Sequence, residues 1–242
     1  MQASTIKYIA EIRTRLLKIT ICNLLVFAAI GYWASNIYAF VAKPLLSNLP
    51  KSARMIATDI TSPLFAPLKI TLIVAILISL PYTIGQIWRF VMPALYKHER
   101  AIIIFTISLS TILFYLGLAF GFFIICPVVL KFFSSIHIEQ VHMATDINKY
   151  LSFIIKLLVG CGLAFEVPII VIAIITLNLA SIEQIKQKRP YVIVGAFVLG
   201  MLLTPPDVIS QSILAIPILI LFELGLFIGG RIKKKVDSRV SN

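Results

Sequence analysis

Three glutamates and their neighbours are where this sequence could do chemistry. Glu11 lies in Glu11-Ile12-Arg13-Thr14-Arg15-Leu16, and Glu99 lies in Phe90-Val91-Met92-Pro93-Ala94-Leu95-Tyr96-Lys97-His98-Glu99-Arg100. The second string is a polar island with a helix-breaking proline, set between two long apolar runs. A carboxylate beside an aromatic such as Phe90 or Tyr96 can receive a guanidinium, because the pairing can be bidentate and the ring can stack on the cation. The blander reading makes Glu11 an i,i+4 partner for Lys7 and Arg15, worth about 0.3 kcal/mol, and exposed ion pairs usually contribute little.

Glu166 poses a different problem. It falls inside a long apolar run, where an ionisable group is expensive and calls for a function or a dedicated partner. It precedes Pro168, whose missing N–H leaves a carbonyl near Ala164 without its usual donor. A protonated Glu166 could bond that carbonyl or another helix, or it could face a partner or cargo. Glu223, near the inner end of the last apolar run, could pair with Arg231 or a neighbouring helix. Motifs of enzymatic catalysis and of cofactor binding do not occur: there is no HExxH, GxSxG or Walker A string. His98, His137 and His142 do not form a helical metal pair, so no metal is expected. Cys22, Cys126 and Cys161 are scattered through apolar sequence and read as small core residues, not as ligands or disulfide partners.

The elements that must position these groups are membrane helices. The chain has 242 residues, is 60% hydrophobic and is only 13% charged, far more apolar than soluble domains of roughly 25% charged residues. A soluble fold could not hide that surface. The net charge of +12 is not a nucleic-acid signature, because the basic residues sit in short segments between apolar runs and no basic-aromatic module accompanies them. The expected fold is therefore all-α: one membrane domain over 1–242, a bundle of six transmembrane helices at about 19–37, 70–88, 101–125, 151–177, 191–204 and 208–228. Residues 1–18 form an amphipathic interfacial helix with Ile6, Ile9, Ile12 and Leu16 on its apolar stripe, and 229–242 form a basic tail. The first run is longer than a signal-peptide core and should stay as the first span.

Between the first two spans, residues 39–68 carry four prolines and should be irregular, with short helices at most. Pro81 should kink the second span. Gly117 and Gly121 form a GxxxG pair suited to close helix packing. Asp146 should cap the fourth span, and Ser181-Ile182-Glu183-Gln184 is a capping-box pattern. The fifth span is too short for a ~30 Å hydrocarbon core. Of the 22 Lys and Arg residues, 15 fall in the N-terminal segment, the island with Arg89 just before it, the 178–190 loop and the tail, against five in the opposite loops. That bias puts both termini and the island in the cytoplasm.

With these pieces assembled, the chain resembles the TatC family, the multi-spanning core of the twin-arginine protein translocase. The resemblance runs over nearly the whole chain. It rests on the two strings above, Ile56-Ala57-Thr58-Asp59, Tyr150-Leu151-Ser152-Phe153, Phe165-Glu166-Val167-Pro168, and Lys188-Arg189-Pro190-Tyr191 through Gly200-Met201-Leu202-Leu203-Thr204-Pro205-Pro206-Asp207. It departs at Ala101, where the family often has a second arginine, and at Ile12, where it often has Leu. The resemblance implies a receptor for the paired arginines of signal peptides on folded cargo. Glu11 and Glu99 match the recognition acids, with Arg13, Phe90 and Tyr96 in the same cytoplasmic patch. Glu166 matches an intramembrane glutamate, and Pro44 and Asp207 match outer-loop positions. It further implies single-span TatA- and TatB-like partners, self-association in a larger complex, and export driven by the proton motive force. The site would be a bacterial inner membrane, with no cofactor and no nucleic acid. The rival reading is a proton-coupled secondary transporter using Glu166, which would call for an inverted repeat that is not evident here.

Overall fold

The structure, a computed structural model, describes residues 2–48, 54–57, 59–91, 100–135, 144–176, 179–205 and 207–240. As the composition requires, these residues are helical almost throughout. In chain order the elements are α1 (Gln2–Ile30), a 3₁₀ turn (Gly31–Trp33), α2 (Ala34–Asn48), β1 (Arg54–Ile56), α3 (Ser62–Ile78), α4 (Leu80–Val91), α5 (Arg100–Phe120), a π turn (Gly121–Ile125), α6 (Cys126–Ser135), β2 (Ala144–Asp146), α7 (Ile147–Ala164), α8 (Val167–Thr176), α9 (Ile182–Gln187), α10 (Arg189–Leu203) and α11 (Val208–Val240).

Among the described residues, four helical stretches are long and apolar enough to cross a membrane: Ile9–Ser47, Ile104–Ser135, Ile147–Thr176 and Val208–Lys233. The bent pair Ser62–Ile78 and Leu80–Ile87 is a fifth if it counts as one span. The apolar helix α10 has 15 residues and at 1.5 Å per residue reaches only about 22 Å.

Several helices run further than the sequence predicts. The amphipathic N-terminal segment, by contrast, runs into the first apolar run as expected, in one unbroken helix, α1. Pro44, expected in an irregular loop, lies inside α2, so residues 39–48 are helical. Pro127 does not end its span. The π turn before it takes up the strain through the Cys126 N–H, which reaches back to the Gly121 carbonyl, a five-residue step that makes room for a proline in the following turn. The basic tail continues α11 as helix to Val240.

The chain forms two compact units. The first holds α1 to α4, the first half of α5, both strands and the start of α7. Here α1 packs along α3 and α4. The bend between α3 and α4 is 52° and falls at Ser79, two residues before Pro81, whose ring would collide with the Leu77 carbonyl in a straight helix. Ser79 uses the break: its hydroxyl donates to Asn23 Oδ1 on α1, and its N–H bonds the Ala75 and Leu77 carbonyls. Strands β1 and β2 pair in parallel, Arg54 with Ala144 through Ile56 with Asp146. Around them Asn148 donates to Ser62 Oγ at 2.6 Å, Tyr150 Oη donates to the Val41 carbonyl at 2.9 Å, and Asp146 Oδ1 caps α7 by accepting from the Lys149 N–H at 2.9 Å.

The second unit holds the rest of α5, α6, the rest of α7 and α8 to α11. Small residues set its helix spacing. A Cβ at Gly117 would lie 2.6 Å from the Cys161 carbonyl oxygen and 2.9 Å from the Gly162 Cα. At Gly225 it would lie 2.8 Å from the Pro168 Cα. In a bilayer, where apolar surface gains nothing from leaving lipid, close approach of this kind is what holds helices together. Cys126 and Cys161 are buried, as the apolar sequence around them predicts. Ser181 and Gln184 form the expected capping box at the start of α9.

Candidate functional site

Glu11 projects from α1 as a half-exposed carboxylate. Arg15, one turn on, donates to its Oε1 twice, from Nη2 at 2.6 Å and from Nε at 3.0 Å. The same guanidinium uses Nη1 to reach α4, donating to the Gln86 carbonyl and to Gln86 Oε1, both at 3.2 Å. Arg15 is thus a brace between two helices, and Glu11 is held by it through one oxygen. Its side chain keeps 22% of its exposure against 42% for Glu11, so the acid, not the base, is the group offered to solvent. Gln86 is buried, and the bend at Ser79 is what turns α4 so that Gln86 meets α1.

The other predicted recognition residues divide. Arg13 is exposed on α1, but a two-residue step points it away from the Glu11 face. Phe90 lies one turn beyond Gln86 in α4, and only its backbone is described. Tyr96 and Glu99 lie outside the described residues. Sequence reasoning weighed Arg15 as a partner of Glu11 but missed Gln86; the signal available was a lone amide in an otherwise apolar span.

Glu166 sits in the second unit, in the two-residue break between α7 and α8. Its carbonyl accepts from the Ile169 and Ile170 N–H groups at 2.9 and 3.1 Å and so starts α8, while its Oε1 is buried. The ring of the preceding Phe165 packs on Phe120 at 5.3 Å between centroids. Pro168 is therefore accommodated by ending α7 and starting a new helix. Asp207 caps α11: Oδ2 accepts from the Ser210 N–H at 2.7 Å and the Asp207 carbonyl accepts from the Gln211 N–H at 3.1 Å. Pro44 has its carbonyl bonded by the Ser47 hydroxyl at 3.0 Å. Glu223 pairs with Arg189 of α10 at 2.7 Å, while Arg231 lies over the Phe227 ring at 4.2 Å. Among the described residues no three His, Cys, Asp or Glu side chains gather as metal ligands would.

Long apolar helices carrying a braced, outward carboxylate define an integral membrane protein whose polar chemistry suits recognition of a cation. The comparisons with known proteins narrow that class. The model of the family described as "Sec-independent protein translocase protein (TatC)" matches residues 7–217. A TatC protein of Haemophilus influenzae is 49% identical over 238 residues, covering 98% of this chain and 93% of its own. That of Escherichia coli K12 is 45% identical over 222 residues, covering 92% and 86%. A crystal structure titled as the twin-arginine translocase receptor TatC superposes with a TM-score of 0.76 at 36% identity, covering 92% of this chain and 98% of that one. The chain belongs to the TatC family. It is accordingly a component of a Sec-independent protein translocase and not a catalytic enzyme, which decides against the secondary-transporter reading.

Proposed function

We propose that this chain is the receptor and core subunit of a twin-arginine translocase, binding the paired arginines of signal peptides on folded cargo. The observation that carries the proposal is the state of Glu11: a half-exposed carboxylate whose bound donors both fall on Oε1. An incoming guanidinium takes Oε2, and the Arg15–Gln86 brace keeps the acid from swinging away. Glu99 supplies the second carboxylate, with Arg13, Phe90 and Tyr96 completing the cytoplasmic patch.

In this reading the bundle has six spans with both termini in the cytoplasm of a bacterial cell, and the membrane is the inner membrane. Support comes from the five long apolar stretches, with α3–α4 counted as one, together with the short helix α10, and from the Lys and Arg bias. The peptide's apolar part rests along the bundle, and Glu166 is the polar spot that meets cargo or a partner helix. Pro44 and Asp207 shape the outer ends. Single-span TatA- and TatB-like proteins dock near α10 and α11, several copies of the chain assemble in the complex, and transport runs on the proton motive force. The short α10 thins the bilayer locally, since mismatch costs only fractions of a kcal/mol per Å.

The test is photocrosslinking. A photoreactive residue beside Glu99 is exposed to signal peptides carrying Arg-Arg or Lys-Lys. Crosslinks that need both arginines, and vanish when Glu11 or Glu99 is neutralised, establish the receptor. Equal labelling by both peptides sinks it.

A further inference from the structure

The second unit contains a groove lined by none of the candidate recognition residues. It has a volume of about 840 Å³ and is bounded by α8, α9, α10 and α11. Its walls are apolar along most of their length, formed by Val171, Ile174, Ala196, Leu199 and Phe222 among others. Its polar lining is confined to one end, where Gln184, Gln187 and Lys188 follow one another along α9 and the turn after it. The space is therefore amphiphilic along its axis: hydrocarbon over its length, donors and a positive charge at one mouth.

The charge at that mouth is available. Arg189 is committed to Glu223 at 2.7 Å. Lys188 makes no ion pair among the described residues; it is exposed, with Nζ over the Tyr191 ring at 5.2 Å. Gly195 carries a separate signal. Gly117, Gly121, Gly160, Gly162, Gly225 and Gly229, all in this unit, would each place a Cβ within about 3.1 Å of another atom, whereas a Cβ at Gly195 meets nothing within 4 Å. Those six let helices touch; Gly195 leaves room in the groove wall.

We infer that this groove is a binding site for an anionic phospholipid, with acyl chain against α8, α10 and α11 and the phosphate on Lys188, assisted by the amide N–H donors of Gln184 and Gln187. The volume suits a small amphiphile, since sites for such ligands run to roughly 300–1,000 Å³. A lysine ammonium is a compact point charge suited to phosphate, and glutamine amides donate to phosphate or glycerol oxygens. Basic pockets between membrane helices hold anionic head groups by this arrangement.

Native mass spectrometry on the purified full chain tests the assignment, with phosphatidylglycerol and phosphatidylcholine as probes. The wild type should retain phosphatidylglycerol in preference. Lys188→Gln should cut that preference about fivefold, the effect of one lysine at a charged head group. Gly195→Leu should reduce retention of both lipids by filling the groove. Gly31→Leu, where an added Cβ also meets nothing within 4 Å, should change neither. Equal retention of the two lipids by the wild type overturns the proposal, as does an unchanged preference in Lys188→Gln. So does wild-type retention in Gly195→Leu, or a photoreactive residue at 195 that labels polypeptide in membranes in place of lipid.

Discussion

At the scale of single residues, the carboxylate of Glu11 is less telling than how it is held. An i,i+4 ion pair alone would be worth about 0.3–0.5 kcal/mol, too little to fix a receptor. Here the pair is tied into a second helix through Gln86, whose carbonyl and side-chain oxygen both accept from Arg15. Hydrogen bonds to charged groups are worth about 1.5–3 kcal/mol. Glu11→Gln is therefore expected to lower affinity for a twin-arginine peptide by about 10- to 100-fold, measured by peptide titration on the purified chain. Arg15→Lys keeps the charge but loses the planar fork that spans Glu11 and Gln86. Export of a twin-arginine reporter should fall severalfold in that variant while the amount of folded protein stays at wild-type level. Undiminished export would mean that Arg15 braces nothing the receptor needs.

At the scale of elements, helix spacing and helix ends govern the outcome. Gly117 lies against the backbone of α7, and backbone cannot step aside as a flexible side chain can. Gly117→Val should destabilise the second unit by about 1–3 kcal/mol through overpacking, read from unfolding in detergent, whereas Gly31→Ala should be silent. The capping box at Ser181 is worth about 1 kcal/mol, so Ser181→Ala should speed amide exchange over 182–187 and little else. The Arg189–Glu223 pair is half-exposed on both sides. Screening by water limits it to about 0–1 kcal/mol, so Glu223→Ala should leave the unfolding midpoint nearly unchanged.

At the scale of the whole molecule, the proposed orientation can be checked by cysteine labelling. Cys126 and Cys161 are buried and Cys22 is half-buried, so the background is low. Ile60→Cys, at a fully exposed loop position, should react with a membrane-impermeant maleimide in intact cells. Lys186→Cys should react only after the cells are opened. The reverse pattern would invert the proposed topology and put Glu11 on the side opposite to the one the proposed receptor role requires.

Composition and the spacing of apolar runs determined the all-helical membrane class, the short fifth helix, the kink near Pro81 and the caps at Asp146 and Ser181. Each of these is a local property: a run's length, a missing N–H, or a side chain that reaches three residues ahead. The acids that could do chemistry were legible for the same reason, as charges out of place in apolar or basic sequence. Tertiary structure alone decided what those acids touch. Arg15 meets Gln86 across 71 positions, and Glu223 chose Arg189 over Arg231 because helix packing brought α10 alongside α11. Pairing of β1 with β2 was equally invisible, since three residues show no periodicity and their partners lie about 90 positions apart. A proline misled most, at Pro44, because a helix absorbed what a local rule treats as a stop. The groove behind Gly195 is the clearest case: in sequence that glycine looks like those that pack helices, and only its neighbours in space reveal that it opens room.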